Sequence, residues 1–218
     1  MDEYLIPTKE AHTEFTEKHS RFLGHLYPVE TEREALAFLE KLRKQYWDAN
    51  HNVYAYIIHG GATRYSDDSE PQGTAGMPVL EVLRREGLEN VLCVATRYFG
   101  GILLGAGGLV RAYAKTAKTA VDAAGISRRR LWQTVSIPCP YPLLDRVRSE
   151  ITDAGGQLCD CAYGAEVSLT AAFPKTDTAA FLARLTDVTC GRVSAEILGE
   201  SYQAFPITRE EAKNHDDP

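Results

Sequence analysis

Residues 90–124 constrain the fold more than any other stretch. Val91, Leu92, Val94 and Ala95 form an apolar run of strand length, the pattern of a strand buried on both faces. Arg97-Tyr98-Phe99-Gly100-Gly101 follows, and then Gly105, Gly107 and Gly108 crowd the start of a long helical pattern. In that pattern Leu109, Val110, Tyr113, Ala117, Ala120, Val121 and Ala124 recur at the helical period and predict one buried face. Arg111, Lys115 and Lys118 fall on the opposite side. The unit is strand, glycine-rich turn, helix, with small residues that let the helix lie close to a sheet.

The remaining chain is read against that unit. At 218 residues it has room for one large domain or two small ones. No apolar run approaches the roughly 18 residues of a membrane span, and the acidic start, Met-Asp-Glu-Tyr-Leu-Ile-Pro, lacks the apolar core of a signal peptide. A cytoplasmic protein is expected. Five cysteines at scattered spacing (Cys93, Cys139, Cys159, Cys161, Cys190) argue against a disulfide framework. Cys159-x-Cys161 without a second pair is a weak metal signal, so no metal site is assigned to it.

Net charge is −6, but its distribution is uneven. Residues 97–130 carry seven basic side chains (Arg97, Arg111, Lys115, Lys118, Arg128, Arg129, Arg130) and one acidic, Asp122. The segments on either side are each net −6. A local positive zone in an acidic chain suits phosphate or RNA held at one place, with repulsion elsewhere.

From the N-terminus, residues 15–16 and 20–27 read as strands, and 31–46 as a helix opened by a Thr31/Glu34 capping box. Ala35, Leu36, Phe38, Leu39 and Leu42 form its buried stripe. Residues 52–58 are strand-like. Residues 65–78 read as a long polar loop that packs no core, with Pro78 opening a helix to Arg85. Gly125 suits the end of the long helix, and residues 126–130 read as a linker. Then come a strand at 135–137, a helix at 142–154, a hairpin over 158–163 and 166–173, a helix at 177–188 capped by Thr176 or Asp177, and a strand at 193–198. That order, βαββαβ, is the ferredoxin-like pattern. The expected architecture is α+β with domains at 1–125 and 131–207 and a frayed tail at 208–218.

Three constellations carry candidate chemistry. Gly100, Gly101, Gly105, Gly107 and Gly108 precede a helix N-terminus, where free amides bind phosphate; the competing role is close packing and positive φ. Arg97 strengthens such a site, unless it pairs with an acid of the 66–70 segment. Arg111, Lys115 and Lys118 offer phosphate contacts, or form an ordinary solvated face, and Tyr98 and Phe99 offer a stacking platform. Ser66, Asp67, Asp68, Glu70, Gly73, Thr74 and Gly76 form an acidic-to-glycine loop. Its carboxylates are a candidate Mg²⁺ set with Glu70 as a general base, against turn and cap hydrogen bonding as the alternative. His51 and His59 flank a strand and read as structural.

Together three of these stretches resemble the YigZ/IMPACT family. They are Arg97-Tyr98-Phe99-Gly100-Gly101-Ile102-Leu103-Leu104-Gly105, the segment from Ser66 to Pro78, and Lys18-His19-Ser20-Arg21-Phe22. Ser69 departs from the pattern, where the family usually has Gly. The resemblance is strong to about residue 125 and weaker beyond, as in bacterial two-domain members. It implies an N-terminal domain like domain 2 of ribosomal protein S5 and a ferredoxin-like C-terminal domain, the folds of elongation factor G domains IV and V. The eukaryotic IMPACT protein regulates translation through a kinase pathway and carries a further N-terminal interaction domain. This chain has no room for that domain, so only the ribosome or RNA contact carries over as an expectation.

The first expectation is therefore a nucleic-acid- or ribosome-associated binding protein, a regulator of translation, with Arg21 and Phe22 as part of its N-terminal motif. The rivals are a Mg-dependent enzyme acting on a phosphorylated small molecule or nucleotide, and a protein–protein adaptor.

Overall fold

The computed structural model describes residues 3–208 and residue 211. The chain divides into two compact units, residues 4–128 joined by 205–208, and residues 129–204 joined by Glu3. The fold class is mixed α+β with two sheets.

The first unit is built on β2 (Ala11–Glu17), β3 (Ser20–Pro28), β4 (His51–Ile57), β5 (Thr63–Ser66) and β6 (Val91–Tyr98). Their order is β2-β3-β6-β4-β5, and every pair is antiparallel. The central β6 is buried on both faces, as its unbroken apolar run requires. Period-two alternation sorts its side chains. Val91, Cys93 and Ala95 join Phe22, Leu26, Val53 and Ala55 in a core under α2 (Gly76–Arg85) and α3 (Ala106–Ala124). Leu92 and Val94 join Tyr27 and Tyr56 in a second core under α1 (Glu32–Gln45). The same alternation aims Arg97 at the α2/α3 side.

Local signals account for most boundaries. Thr31 caps α1 by accepting the Glu34 amide at 3.2 Å, while Glu34 reaches past the cap to the Glu30 amide at 2.8 Å. Leu36 is 47% exposed and leaves the predicted stripe; Ala35, Leu39 and Leu42 are buried, and Phe38 packs partly buried against the same core. On α3 the buried face is as predicted except for Val110, which is exposed; Ala112 and Thr116 complete it. Gly125 ends α3 with φ +71°, its amide on the Val121 carbonyl at 3.0 Å. The polar segment at 65–78 is not the coreless loop expected. β5 claims its start, α2 begins at Gly76 rather than at Pro78, and Glu70, Thr74 and Ala75 are buried. Side-chain hydrogen bonds, invisible to hydropathy, hold it in.

The second unit runs β7 (Ile126–Cys139), α4 (Leu144–Asp153), β8 (Gln157–Tyr163), β9 (Val167–Pro174), α5 (Lys175–Thr189) and β10 (Glu196–Ile207). β9 lies between β7 and β8, antiparallel to both, and β10 pairs with β7. Val135, Ile137, Val147, Leu169, Phe173, Phe181 and Leu185 are among its core residues. Two expectations fail here. Residues 126–130 are no linker but the first third of β7. Helix α5 starts at Lys175 after Pro174, and Thr176 bonds Asp177 rather than capping the backbone. β1 (Glu3–Pro7), unread in the sequence, is also present. The tail beyond residue 208 lies outside the described residues apart from Glu211, whose carboxylate accepts the Thr208 amide at 2.7 Å.

One buried base sits away from the candidate site. His25 on β3 is 3% exposed; its Nδ1 lies 2.9 Å from His12 Nδ1, and its Nε2 has no partner. Burial, with the adjacent His12, pushes its pKa down from 6.5 to about 4. The folded state thus binds fewer protons than the unfolded chain between those values. Stability is full above the unfolded pKa and falls as pH drops through the window, by about 3 kcal/mol at most. Urea denaturation from pH 7 to 4 should show that loss, and His25→Gln should remove most of it.

Candidate functional site

The three motif stretches meet at one buried ion pair. Arg97 is the penultimate residue of β6, and its side chain is 5% exposed. Its Nη1 donates to Glu70 Oε1 at 2.6 Å, and its Nη2 donates to Ser20 Oγ at 3.2 Å. The guanidinium carbon lies 5.5 Å from the ring centroids of both Phe22 and Phe99. Glu70 also accepts from Tyr113 Oη at 2.7 Å. Burial, together with that carboxylate, raises the Tyr113 pKa well above its ordinary value, so the phenol stays a donor. The Arg97 Nε–H has no acceptor.

Backbone geometry brings Ser20 and Gly100 together. Lys18 and His19 form the two-residue turn between β2 and β3, both with positive φ, and Glu17 pairs with Ser20 across it. Gly100 packs directly on that turn. A Cβ there would lie 2.0 Å from the His19 carbonyl, so no other residue fits, and the Gly100 amide donates to Ser20 Oγ at 3.3 Å. The Lys18–Phe22 and Arg97–Gly101 motifs are thus two sides of one junction. Phe22 is its buried floor; Arg21 points away, paired with Glu14 at 2.6 Å.

The acidic loop is folded by its own carboxylates. Asp67 accepts the amides of Gly73 at 2.8 Å, Ala75 at 3.0 Å and Gly76 at 2.8 Å, placing negative charge at the α2 N-terminus. Asp68 accepts the Asn52 amide at 2.5 Å and lies 3.7 Å from Arg43, while its own amide donates to Ser66 Oγ at 3.1 Å. Thr74 donates to the Pro71 carbonyl at 2.6 Å. Asp67, Asp68 and Glu70 therefore diverge toward separate partners. Among the described residues no cluster of three or more His, Cys, Asp or Glu is placed to hold a metal ion. The candidate Mg²⁺ set of this loop is not brought together; Asp67 and Asp68 make the turn and cap hydrogen bonds weighed against it, and Glu70 is tied up as a counter-ion.

Above the ion pair opens a cleft of about 400 Å³, lined by Asn50, His51, Glu70, Pro71, Arg97, Phe99, Leu103, Leu104, Gly105, Ala106 and Leu109. Gly105, with φ +73°, turns the chain into α3, and Leu109 is the first residue whose amide bonds back, to the Gly105 carbonyl at 2.9 Å. The amides of Ala106, Gly107 and Gly108 are left at the positive end of a 19-residue helix without capping side chains. His51, opposite Arg97 in the β4–β6 ladder, has Nδ1 2.8 Å from the Asp68 carbonyl and so donates there; its Nε2 lies 3.7 Å from Glu70. Phe99 is 44% exposed at the rim, its amide donating to Asn50 Oδ1 at 2.7 Å.

A second depression, about 230 Å³, is lined by Phe15, Glu17, Lys18, Leu104, Gly108, Arg111, Ala112 and Lys115. It shares Leu104 with the cleft. Lys115 Nζ sits 4.4 Å from the Phe15 ring centroid.

The predicted anion site is thus assembled in part. Arg97, Gly105, Gly107, Gly108, Arg111 and Lys115 share one face of the first unit. Gly101 is exposed but lines neither depression. Lys118 is spent on Glu86 at 2.7 Å and Asp122 at 2.9 Å. Tyr98 leaves the stacking role to Phe99: its hydroxyl donates to Asp48 at 2.8 Å and its ring faces Arg21. The arginine triplet disperses, Arg128 to the Glu211 carbonyl, Arg129 over Tyr202 and Arg130 to Glu3. Sequence reasoning missed Ser20, His51 and Tyr113. Only strand register and the helical phase of Tyr113, which matches Leu109, bear on them.

The fold and site define an α+β protein with a cleft at a helix N-terminus. The Impact N-terminal domain profile matches residues 18–121, and a domain of unknown function, DUF1949, matches residues 137–192. IMPACT family member YvyE of Bacillus subtilis is 36% identical over 88% of this chain and 89% of its own length. IMPACT family member YigZ of Escherichia coli is 34% identical over 88% of this chain and 96% of its own. A solved structure described as that of an hypothetical protein matches with TM-score 0.59 and 31% identity over 96% of this chain and 99% of the other. The chain belongs to the IMPACT family.

Two substitutions test this geometry. Arg97→Met leaves the Glu70 carboxylate buried without its cation and should cost about 3–5 kcal/mol in urea denaturation. Ser69 holds φ +69°, a conformation that costs an L-residue about 1 kcal/mol. Ser69→Gly should therefore stabilise the protein by up to that amount in the same assay.

Proposed function

We propose that this chain is a cytoplasmic binding protein that engages RNA, free or on the ribosome, and regulates translation. The observation that carries this reading is the junction of two depressions at Leu104. One ends on free amides beside Arg97; the other is lined by Lys18, Arg111 and Lys115. Phosphates need cations and amides in a row, and bases need an exposed ring, which Phe99 supplies. The rest of the acidic surface favours release of polyanions that miss this face.

The same reading covers the architecture. The first unit is taken as an S5 domain 2-like fold over 1–125 and the second as a ferredoxin-like fold over 131–207. The support is the βαββαβ order with β9 central between β7 and β8, and β10 beside β7. A protein partner remains a second reading, favoured by the exposed Tyr141, Leu158 and Tyr163 of the second unit. A Mg-dependent enzyme has lost its support, because the carboxylates it needs are engaged elsewhere.

The test is fluorescence anisotropy of a labelled single-stranded RNA across a salt series. Affinity should fall steeply as salt rises, with log Kd changing by about 0.7 per phosphate contact for each log unit of salt. Arg111→Gln with Lys115→Gln should weaken binding at least about tenfold and reduce that slope by about 1.4. Absence of binding at low salt, or an unchanged slope in the double variant, would contradict the assignment.

A further inference from the structure

We infer that the cleft at the α3 N-terminus receives the terminal phosphomonoester of an RNA strand, its 5′-phosphate, with the first base against Phe99. This rests on the RNA-binding reading above and makes it specific for a strand end. Four observations carry it.

The amides of Ala106, Gly107 and Gly108 have no acceptor, and Gly107 and Gly108 present no side chain that would keep an anion off the helix end. The Arg111 guanidinium flanks that turn, its Nη1 3.5 Å from where a Gly107 Cβ would stand. Within the cleft wall Arg97, 95% buried at its side chain, keeps an Nε–H without a partner. An arginine so enclosed ordinarily spends every donor, so the spare one points to a ligand. Phe99 and Leu103, 44% and 81% exposed, form an apolar lip over a volume suited to a single nucleotide.

The shape argues for an end rather than a passing strand. The basic groove opens at Lys18 and Lys115 and runs to Leu104, and the cleft beyond is walled by Pro71, Glu70, His51 and Arg97. A strand laid along the groove from Lys18 and Lys115 reaches the cleft at Leu104 and brings its end to that wall. A terminal monoester carries about −1.5 to −2 charge at neutral pH against −1 for a diester. The positive helix end therefore favours it.

Two decamers of identical sequence, one with a 5′-phosphate and one with a 5′-hydroxyl, both labelled at the 3′ end, test this by anisotropy. The phosphorylated strand should bind at least about fivefold tighter. Gly107→Asp should erase that difference, weakening the phosphorylated strand at least about fivefold more than the 5′-hydroxyl strand. An acid in the first helical turn is compatible with folding, and an unchanged melting temperature verifies it. Equal affinity of the two wild-type complexes would overturn the inference and leave RNA binding standing. A preference that survives Gly107→Asp would overturn it as well. Binding of neither strand at low salt would overturn the RNA reading itself. Adenosine monophosphate, added as competitor, should displace the strand only at concentrations far above the strand's Kd; displacement near that Kd would assign the cleft to free nucleotides instead.

Discussion

A single buried ion pair, Arg97 with Glu70, ties the first unit together. It joins the end of the central strand to the acidic loop, while Ser20 and Tyr113 add the β2–β3 turn and α3. A buried pair is seldom a net source of stability, because desolvation offsets the attraction. Its value here is positional. It fixes where the loop stops, where α3 begins, and which wall of the cleft is cationic. Replacement by apolar residues would keep a core but lose that definition.

On the proposed function, the pair also accounts for an anion entering a cleft that holds a carboxylate. Glu70 gives Oε1 to both Arg97 and Tyr113, so its charge is compensated where it lies. The end of α3 lies in the cleft wall, and Arg111 lines the adjoining depression. Asp67 plays the complementary role at α2, where its carboxylate occupies the helix N-terminus. Of the two helix ends on this side of the sheet, one is filled by the protein's own acid and the other is open. That contrast is the basis for proposing the α3 end as a site.

Much of this was legible in the sequence. The strand–turn–helix unit, the α+β class and the order of the C-terminal elements follow from periodicity and glycine placement, and the family from three motifs. The acidic loop was misread because hydropathy assigns polar residues to solvent, whereas Asp67, Asp68 and Thr74 draw the loop in by bonding backbone amides and carbonyls, and Glu70 and Thr74 end up buried. The basic stripe was half right. Lys118 shares its helical side with Arg111, but Glu86 at the end of α2 reaches it, and only tertiary placement reveals that. The sequence marks His51 only as a strand-flanking, structural residue, because its place opposite Arg97 comes from a ladder between strands distant in sequence. The arginine triplet counted toward one positive zone because composition ignores that adjacent side chains in a strand such as β7 point to opposite faces.

The central claim is that free amides at the α3 N-terminus and the Arg97 side chain act together on one anionic group. Backbone and arginine side-chain NMR during titration with a 5′-phosphorylated RNA tests it most directly. The account predicts that the largest shifts fall on the amides of Ala106, Gly107 and Gly108 and on the Arg97 Nε–H, saturating with one common Kd. Shifts confined to other surfaces, or an Arg97 signal that stays fixed while the helix amides move, would contradict it.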